Sequence, residues 1–453
     1  MFKLSVDDIV SNGNLILGID LGTNKVAALL GRLDGGKLSL DRVGLAPSQG
    51  LRRGEIVDLE KAASSISQAI DGLNARRPKG IATSVDRSVA VPRIPHRAWV
   101  GITGDHVRCF NPRADIPISR PGRAVSPRDV EQVMRAAVGS LELPSGHEVV
   151  HVIARSFAVD TSGNSSPKSA KDASIEHTPI FCNSIANPVG MAARRLEVQA
   201  HVVTASTTSL GHLERCMEEA GLGVEGVVLE PLASADAVLS EAERDLGTVL
   251  LDIGAGTTDM AILVDGSVCC TAAVPIGGRH ITRDLAVGLE IDVEEAEALK
   301  IAKGCALVDM VGANEKVTVN ILSAEGPRQI PRRLLAQIIQ PRAAEMVSLV
   351  KDQMVRSGYF HRLSIGAVLT GGGSQLEGIL PLAKQIFGLP VRLGRPSARG
   401  PANLKDPRLS TSVGLLLYGS QEQVHSTPVS AWSRAKPNLG TRVLGWWKHL
   451  FGP

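Results

Sequence analysis

Two short stretches carry the residue types that handle polyphosphate, Asp20-Leu21-Gly22-Thr23-Asn24-Lys25 and Asp252-Ile253-Gly254-Ala255-Gly256-Thr257-Thr258. Glycines let backbone N–H groups come close to phosphate oxygens, hydroxyls and amides complete the hydrogen bonding, and neighbouring carboxylates hold magnesium, often through water. On that chemistry Gly22, Thr23, Asn24 and Lys25 grip one side of a phosphate chain, and Gly254, Ala255, Gly256, Thr257 and Thr258 grip the other. Asp20 and Asp252 are the magnesium candidates. A third stretch, Ala367-Val368-Leu369-Thr370-Gly371-Gly372-Gly373-Ser374, runs an apolar strand into three glycines, a bare backbone on which a purine and ribose could lie flat. One glycine turn is a weak sign, and three in one chain are much harder to dismiss. The set points to a purine nucleoside polyphosphate with Mg2+ as cofactors.

The elements that must position these residues are legible as an internal echo. Leu17 to Thr23 and Leu250 to Thr258 each read as an apolar strand ending at Asp, then a glycine turn, then a second apolar run, Val26 to Leu30 and Met260 to Val264. That is the pattern of a β-hairpin with a polar tip, and two copies predict two homologous lobes. Helical periodicity at Leu59–Leu73, Pro127–Val138 and Ser209–Ala220 alternates with strands at Val149–Ile153, Ala200–Thr204 and Val224–Leu229, which is α/β texture. Arg76–Arg97, rich in Arg and Pro, and Thr161–His177, rich in Ser and Lys, lack core periodicity and read as surface insertions.

At 453 residues, 43% hydrophobic and 21% charged, the chain can bury full cores and is too long for one ordinary domain. A net charge of +3 is too mild to argue for nucleic acid, and none is expected as a partner. Six scattered cysteines without a C-x-x-C pair fit a reducing cytosol. Met1–Leu17 carries Asp7 and Asp8 where a secretory signal would be basic, and no run approaches the roughly 18 apolar residues of a spanning helix, so membrane contact is expected to be peripheral.

The two phosphate turns and the third glycine turn, in this order, resemble the actin and heat-shock chaperone ATPase superfamily over most of the chain. The resemblance implies an actin-like two-lobed α/β ATPase fold, duplicated ribonuclease-H-like domains with ATP as the nucleotide in the cleft. It assigns connecting helices to Glu230-Pro231-Leu232-Ala233-Ser234-Ala235 and Thr411-Ser412-Val413-Gly414-Leu415. Glu230 resembles the residue that orients hydrolytic water, acting with Asp252, although a Glu-Pro pair also commonly starts a helix. Glu297, Lys300 and Lys303 stand where relatives line an adenine pocket, at a spacing that an amphipathic surface explains equally well.

Further stretches resemble the bacterial cell-division protein FtsA family. They are Asn187-Pro188-Val189-Gly190-Met191 with Arg195-Leu196-Glu197-Val198, Val274-Pro275-Ile276-Gly277-Gly278, Lys303-Gly304-Cys305-Ala306-Leu307, Ile338-Ile339-Gln340-Pro341-Arg342 and His147 to Ile153. That family implies a subdomain inserted in the first lobe, meeting neighbouring subunits of a filament and later division proteins. It also implies a second lobe that receives the acidic, apolar C-terminal tail of the tubulin-like protein FtsZ. Lys300, Lys303, Arg328 and Arg333 are the candidates for that tail, which needs cationic neighbours. The expected division is a first lobe in two parts, 14–97 and 186–245, and an insert over 98–185 whose body runs from about Ala98 to Ser162. A second lobe over 246–409, a returning helix at 410–420, a linker at 421–440 and a terminal segment at 441–453 follow. Ala255 departs from the glycine that many relatives have, and tolerates only an ordinary backbone conformation.

The terminal segment has its own chemistry. Two of the four tryptophans are adjacent, and on a helical wheel Val443, Leu444, Trp446, Trp447, Leu450 and Phe451 form one arc, with Arg442, Gly445, Lys448 and His449 opposite. A helix over Thr441–Phe451 would be about 16 Å long at 1.5 Å per residue, too short for a hydrocarbon core of about 30 Å. Tethered by a polar linker, it is expected to lie on an anionic membrane surface, Arg442 and Lys448 meeting lipid and the tryptophans sitting at headgroup level. Multivalency in a polymer would strengthen a weak single anchor. Together these features imply a peripheral protein of the cytoplasmic face at the division site, tethering FtsZ filaments, with slow hydrolysis at most. Competing readings are a small-molecule kinase, which has no use for such a tail, a pilus-assembly ATPase of the same fold, and a chaperone ATPase, for whose substrate domain too little chain follows Gly419.

Overall fold

The computed structural model describes residues 15–75, 94–119, 122–160, 185–323, 326–397 and 405–425. Two five-stranded sheets share one strand order. In the first lobe the strands Lys37–Pro47, Lys25–Asp34 and Leu15–Leu21 run antiparallel, followed by Arg97–Ile102 and Gly223–Leu229 in parallel. In the second, Ser267–Val274, Thr258–Val264 and Thr248–Ile253 run antiparallel, followed by Gly366–Thr370 and Val391–Leu393 in parallel. The central strands Leu15–Leu21, Thr248–Ile253 and Thr258–Val264 are buried along their whole length, as expected of strands covered on both faces.

Two helices cross between the lobes. Glu230–Val238 follows the last strand of the first sheet and packs on Thr248–Ile253 and Thr258–Val264 of the second. Ser410–His425 follows the second sheet and packs on Leu15–Leu21 of the first. They pack closely on each other, because Gly414 has no side chain: a Cβ there would stand 1.8 Å from the Ala233 carbonyl oxygen. The returning helix continues to His425, past the point where the composition predicted a linker.

A third sheet forms the insert. Arg195–Ser206 pairs along one side with His147–Asp160 and along the other with Val107–Phe110 and Arg113–Pro117. The helix Pro127–Gly139 covers it, burying Val130, Val133, Met134 and Ala137 against Phe157, Leu196 and Val198. The expected boundaries at 98 and 185 are displaced by this sheet. Arg97–Ile102 belongs to the first lobe, and Arg195–Ser206, expected in the first lobe, is the insert's central strand. An apolar run shows that a strand exists but not which sheet it joins. The six helices and strands read from periodicity are all present, the strands at 149–153 and 200–204 reaching much further than their apolar cores. Of the two surface insertions, Arg97 opens a strand, while most of 76–97 and all of 161–177 lie outside the described residues.

Candidate functional site

The three glycine turns meet at one cavity of about 450 Å³ between the lobes. Antiparallel pairing sets Asp20 opposite Ala27 and Asp252 opposite Asp259, so the hairpin tips at 22–24 and 254–257 project into the cavity. The tips are close to each other: a Cβ on Gly256 would stand 2.5 Å from Thr23 Oγ1. Parallel pairing aligns Thr370 with Asp252 and delivers Gly371–Gly373 to the same space. Gly371 has φ 81°, and a Cβ there would lie 2.2 Å from Asp252 Oδ1, so only glycine fits. Asp20, Gly22, Thr23, Asn24, Lys25, Glu230, Asp252, Gly254, Ala255, Gly256, Thr257, Glu297 and Lys300 all line the cavity. Thr258 does not; its hydroxyl donates to the Ile276 carbonyl at 2.8 Å. Ala255 is not among the described residues with positive φ.

The crossing helices orient the two aspartates. Ser234 and Thr411 donate to Asp252 Oδ2 at 2.5 and 3.0 Å, and Ser412 donates to Asp20 Oδ2 at 3.2 Å, where Lys25 Nζ also donates at 3.0 Å. The strand order thus places the carboxylates, and the helices fix their rotamers. Lys300 Nζ donates to Glu297 at 2.7 Å, to Thr282 Oγ1 at 2.8 Å and to the Gly278 carbonyl at 3.0 Å, a part-buried cluster in the cavity wall. Burial holds the Lys300 ammonium below its usual range against the pull of Glu297.

Several cavity residues escaped the sequence reading. Asp259, one residue past the second motif, accepts from Thr103 of the first lobe and from Thr257 at 2.9 Å. Extending the motif by one position would have found it. Thr103, Gly54, Gly278, Met346 and Arg408 also line the cavity but come from elements whose approach depends on the tertiary fold alone. Among the tail-binding candidates, Lys300 faces the cavity, whereas Lys303, Arg328 and Arg333 are exposed. Arg332, not singled out from sequence, ties together the Lys303 carbonyl, Glu315 at 2.7 Å and Glu377. The terminal residues Arg442 to Phe451 lie outside the described residues.

The cavity concentrates negative charge. Burial, then Asp20, Asp259 and Asp252, push the Glu230 carboxyl well above its usual range, burial raises Asp252, and burial pushes Asp259 to about 7 against hydrogen bonds from Thr103 and Thr257. A carboxyl raised on folding binds more protons in the folded chain, so its contribution to stability is present below about pH 4 and lost as pH rises through 7. Buried His151 and His201, pushed down to about 4 and 3, act in the opposite direction, so the effect is read by difference. Thermal unfolding of nucleotide-free Asp259→Asn and the parent chain from pH 5 to 7.5 should show the variant gaining about 2 kcal/mol relative to the parent across that range.

The paired lobes, crossing helices and central cleft define the chain as an actin-like ATPase fold with a subdomain inserted in the first lobe. A chain of a "PilM-PilN type IV pilus biogenesis complex" superposes with a TM-score of 0.57 at 16% identity, covering 89% of this chain and 98% of that one. The family described as "Cell division protein FtsA" matches residues 249–414, and the "SHS2 domain inserted in FTSA" matches 104–168. The Cell division protein FtsA of Pseudomonas aeruginosa is 38% identical over 417 residues, 91% of each chain, and that of Escherichia coli K12 is 32% identical over 446 residues, 96% of each. The chain belongs to the FtsA family of actin-like cell-division proteins.

Proposed function

We propose that the chain binds ATP with magnesium in the cleft, assembles into nucleotide-dependent polymers, and tethers FtsZ filaments to the cytoplasmic face of the membrane at the division site. The observation that carries the nucleotide reading is the convergence of Asp20, Asp252 and Gly371–Gly373 on one cavity. Backbone N–H groups of the two hairpin tips would meet the phosphates, and Gly371–Gly373 would back the base, with Glu297 and Lys300 beside it. The carboxylate-rich wall fits a hard cation with oxygen ligands. Among the described residues no three acidic, His or Cys side chains form a cage, so magnesium would take most of its ligands from water and phosphate. With the ion bound there, the aspartate charges that add to burial in raising the Glu230 carboxyl would be offset, and Glu230 would orient an attacking water.

Membership of the FtsA family supports the division role. The exposed cations Lys303, Arg328 and Arg333 on the second lobe are the surface proposed for the acidic FtsZ tail, and the insert is proposed for self-contact and later division proteins. No helix among the described residues is long and apolar enough to cross a membrane. The proposed anchor is the 441–453 segment. Co-pelleting with anionic vesicles and FtsZ, comparing the full chain with a truncation after Gly440, tests this division of labour. The truncation should retain ATP and FtsZ binding and lose FtsZ recruitment to vesicles; undiminished recruitment refutes the tail's role.

A further inference from the structure

The insert belongs to the first lobe by connectivity, and the N–H of Leu229 ties it there by donating to His151 Nε2 at 3.0 Å, one residue before Glu230. Its sheet also reaches across to the second lobe, packing on the outer strand Ser267–Val274 away from the cleft. The seam between them is polar and directional, with His201 and Thr271 buried, Cys109 half-buried and Asn111 at the exposed edge. Asn111 Nδ2 donates to the Cys269 carbonyl at 3.2 Å, which leaves Asn111 Oδ1 facing His201 Nδ1 at 2.7 Å. The imidazole therefore carries its proton on Nδ1, and Nε2 accepts from Thr271 Oγ1 at 3.0 Å. The Thr271 oxygen in turn accepts from Cys109 Sγ at 2.8 Å. The donors and acceptors match in one direction only, with Thr271 and Cys269 on the second lobe and Cys109, Asn111 and His201 on the insert. A second contact lies beside the first: Arg155 of the insert donates to the Tyr359 hydroxyl, its guanidinium carbon 5.2 Å from the ring centroid.

Such a network loses its value if the surfaces slide, because Nε2 of a fully buried imidazole and the hydroxyl of a buried threonine would each lose this partner. The two lobes are otherwise joined by the crossing helices and by contacts across the cleft. We infer that the seam of Cys109, Asn111, His201 and Thr271, with Arg155 on Tyr359, is a latch outside the cleft that holds the lobes closed and sets how fast the cleft opens. The inference rests on the proposed nucleotide site for its functional meaning. A partner that pulled the insert away from Ser267–Val274 would release nucleotide without touching the cleft.

The test uses one position changed in two directions. Thr271→Val keeps shape and removes the shared hydroxyl. Thr271→Cys sets a thiol beside Cys109, and diamide, a two-electron oxidant, joins the two sulfurs by taking both thiol hydrogens. Release of a fluorescent ADP from the full chain should be about tenfold faster in Thr271→Val, slower in oxidised Thr271→Cys, and restored by dithiothreitol. Amide hydrogen exchange at Gly22–Lys25 and Gly254–Thr258 in the nucleotide-free chain should move the same way. Unchanged exchange in both variants overturns the latch, whereas absence of ADP binding by the parent chain, with exchange shifted as expected, overturns the nucleotide reading alone. Oxidised Thr271→Cys carrying Cys109→Ser should behave like the reduced protein.

Discussion

Replacing Gly371 with valine is expected to weaken ATP binding by at least a hundredfold, about 3 kcal/mol. Gly371 has φ 81°, a region that costs an L-residue roughly 1–2 kcal/mol and a β-branched one more. The added Cβ would also stand 2.2 Å from Asp252 Oδ1 and 2.6 Å from the Ile253 carbonyl oxygen. Relief requires either the turn or the end of strand Thr248–Ile253 to move, and each carries cavity-lining groups. The substitution therefore disturbs the base-side turn and the second carboxylate at once. Titration calorimetry reads the affinity, and thermal unfolding of the same sample shows that the variant remains folded. Affinity within threefold of the parent would mean that the Gly371–Gly373 turn is not part of the binding site.

The largest effect on stability is expected at the crossing of the two connecting helices. Gly414→Val places a branched side chain where a Cβ alone would lie 1.8 Å from the Ala233 carbonyl oxygen and 2.2 Å from its carbon. These are backbone atoms, so no rotamer change relieves the overlap, and the helices must separate. Separation also displaces Ser234, Thr411 and Ser412, whose hydroxyls hold Asp252 and Asp20. The expected loss is about 4 kcal/mol, at the severe end for overpacking, measured by urea unfolding. As a control, Gly211 has no atom within 4 Å of its Cβ position, and Gly211→Ala in the helix Thr207–Glu219 should stabilise slightly. If Gly414→Val cost no more than a surface substitution, the crossing would not be the rigid joint described.

The phosphate-handling residues were legible because their chemistry is local. A glycine turn after an apolar strand ending in Asp announces itself in seven residues, and both copies lie at the cavity with their carboxylates inward. The duplication was legible for the same reason, since each echo is a hairpin closed by neighbours in sequence. What could not be read is what depends on pairing between distant segments. The residues from Ala98 to Ile102 looked like the opening of the insert, yet parallel pairing of Arg97–Ile102 with Leu15–Leu21 places them in the first-lobe sheet. Thr103, at the end of that strand, reaches Asp259 more than a hundred residues away. Lys300 and Lys303 share a helix and looked alike as surface cations, but Lys300 turns into the cavity wall while Lys303 stays exposed. The latch is the extreme case. His201 is an isolated histidine in an apolar strand, and only the fold brings Thr271 to it.

Determination of the full chain in complex with magnesium and a non-hydrolysable ATP analogue tests most directly whether all three turns serve one ligand. The phosphates are expected between Gly22–Lys25 and Gly254–Thr257, magnesium beside Asp20 and Asp252, and the base against Gly371–Gly373. An analogue seated elsewhere, or touching only one of the hairpins, would contradict the assignment of the cleft as a nucleotide site.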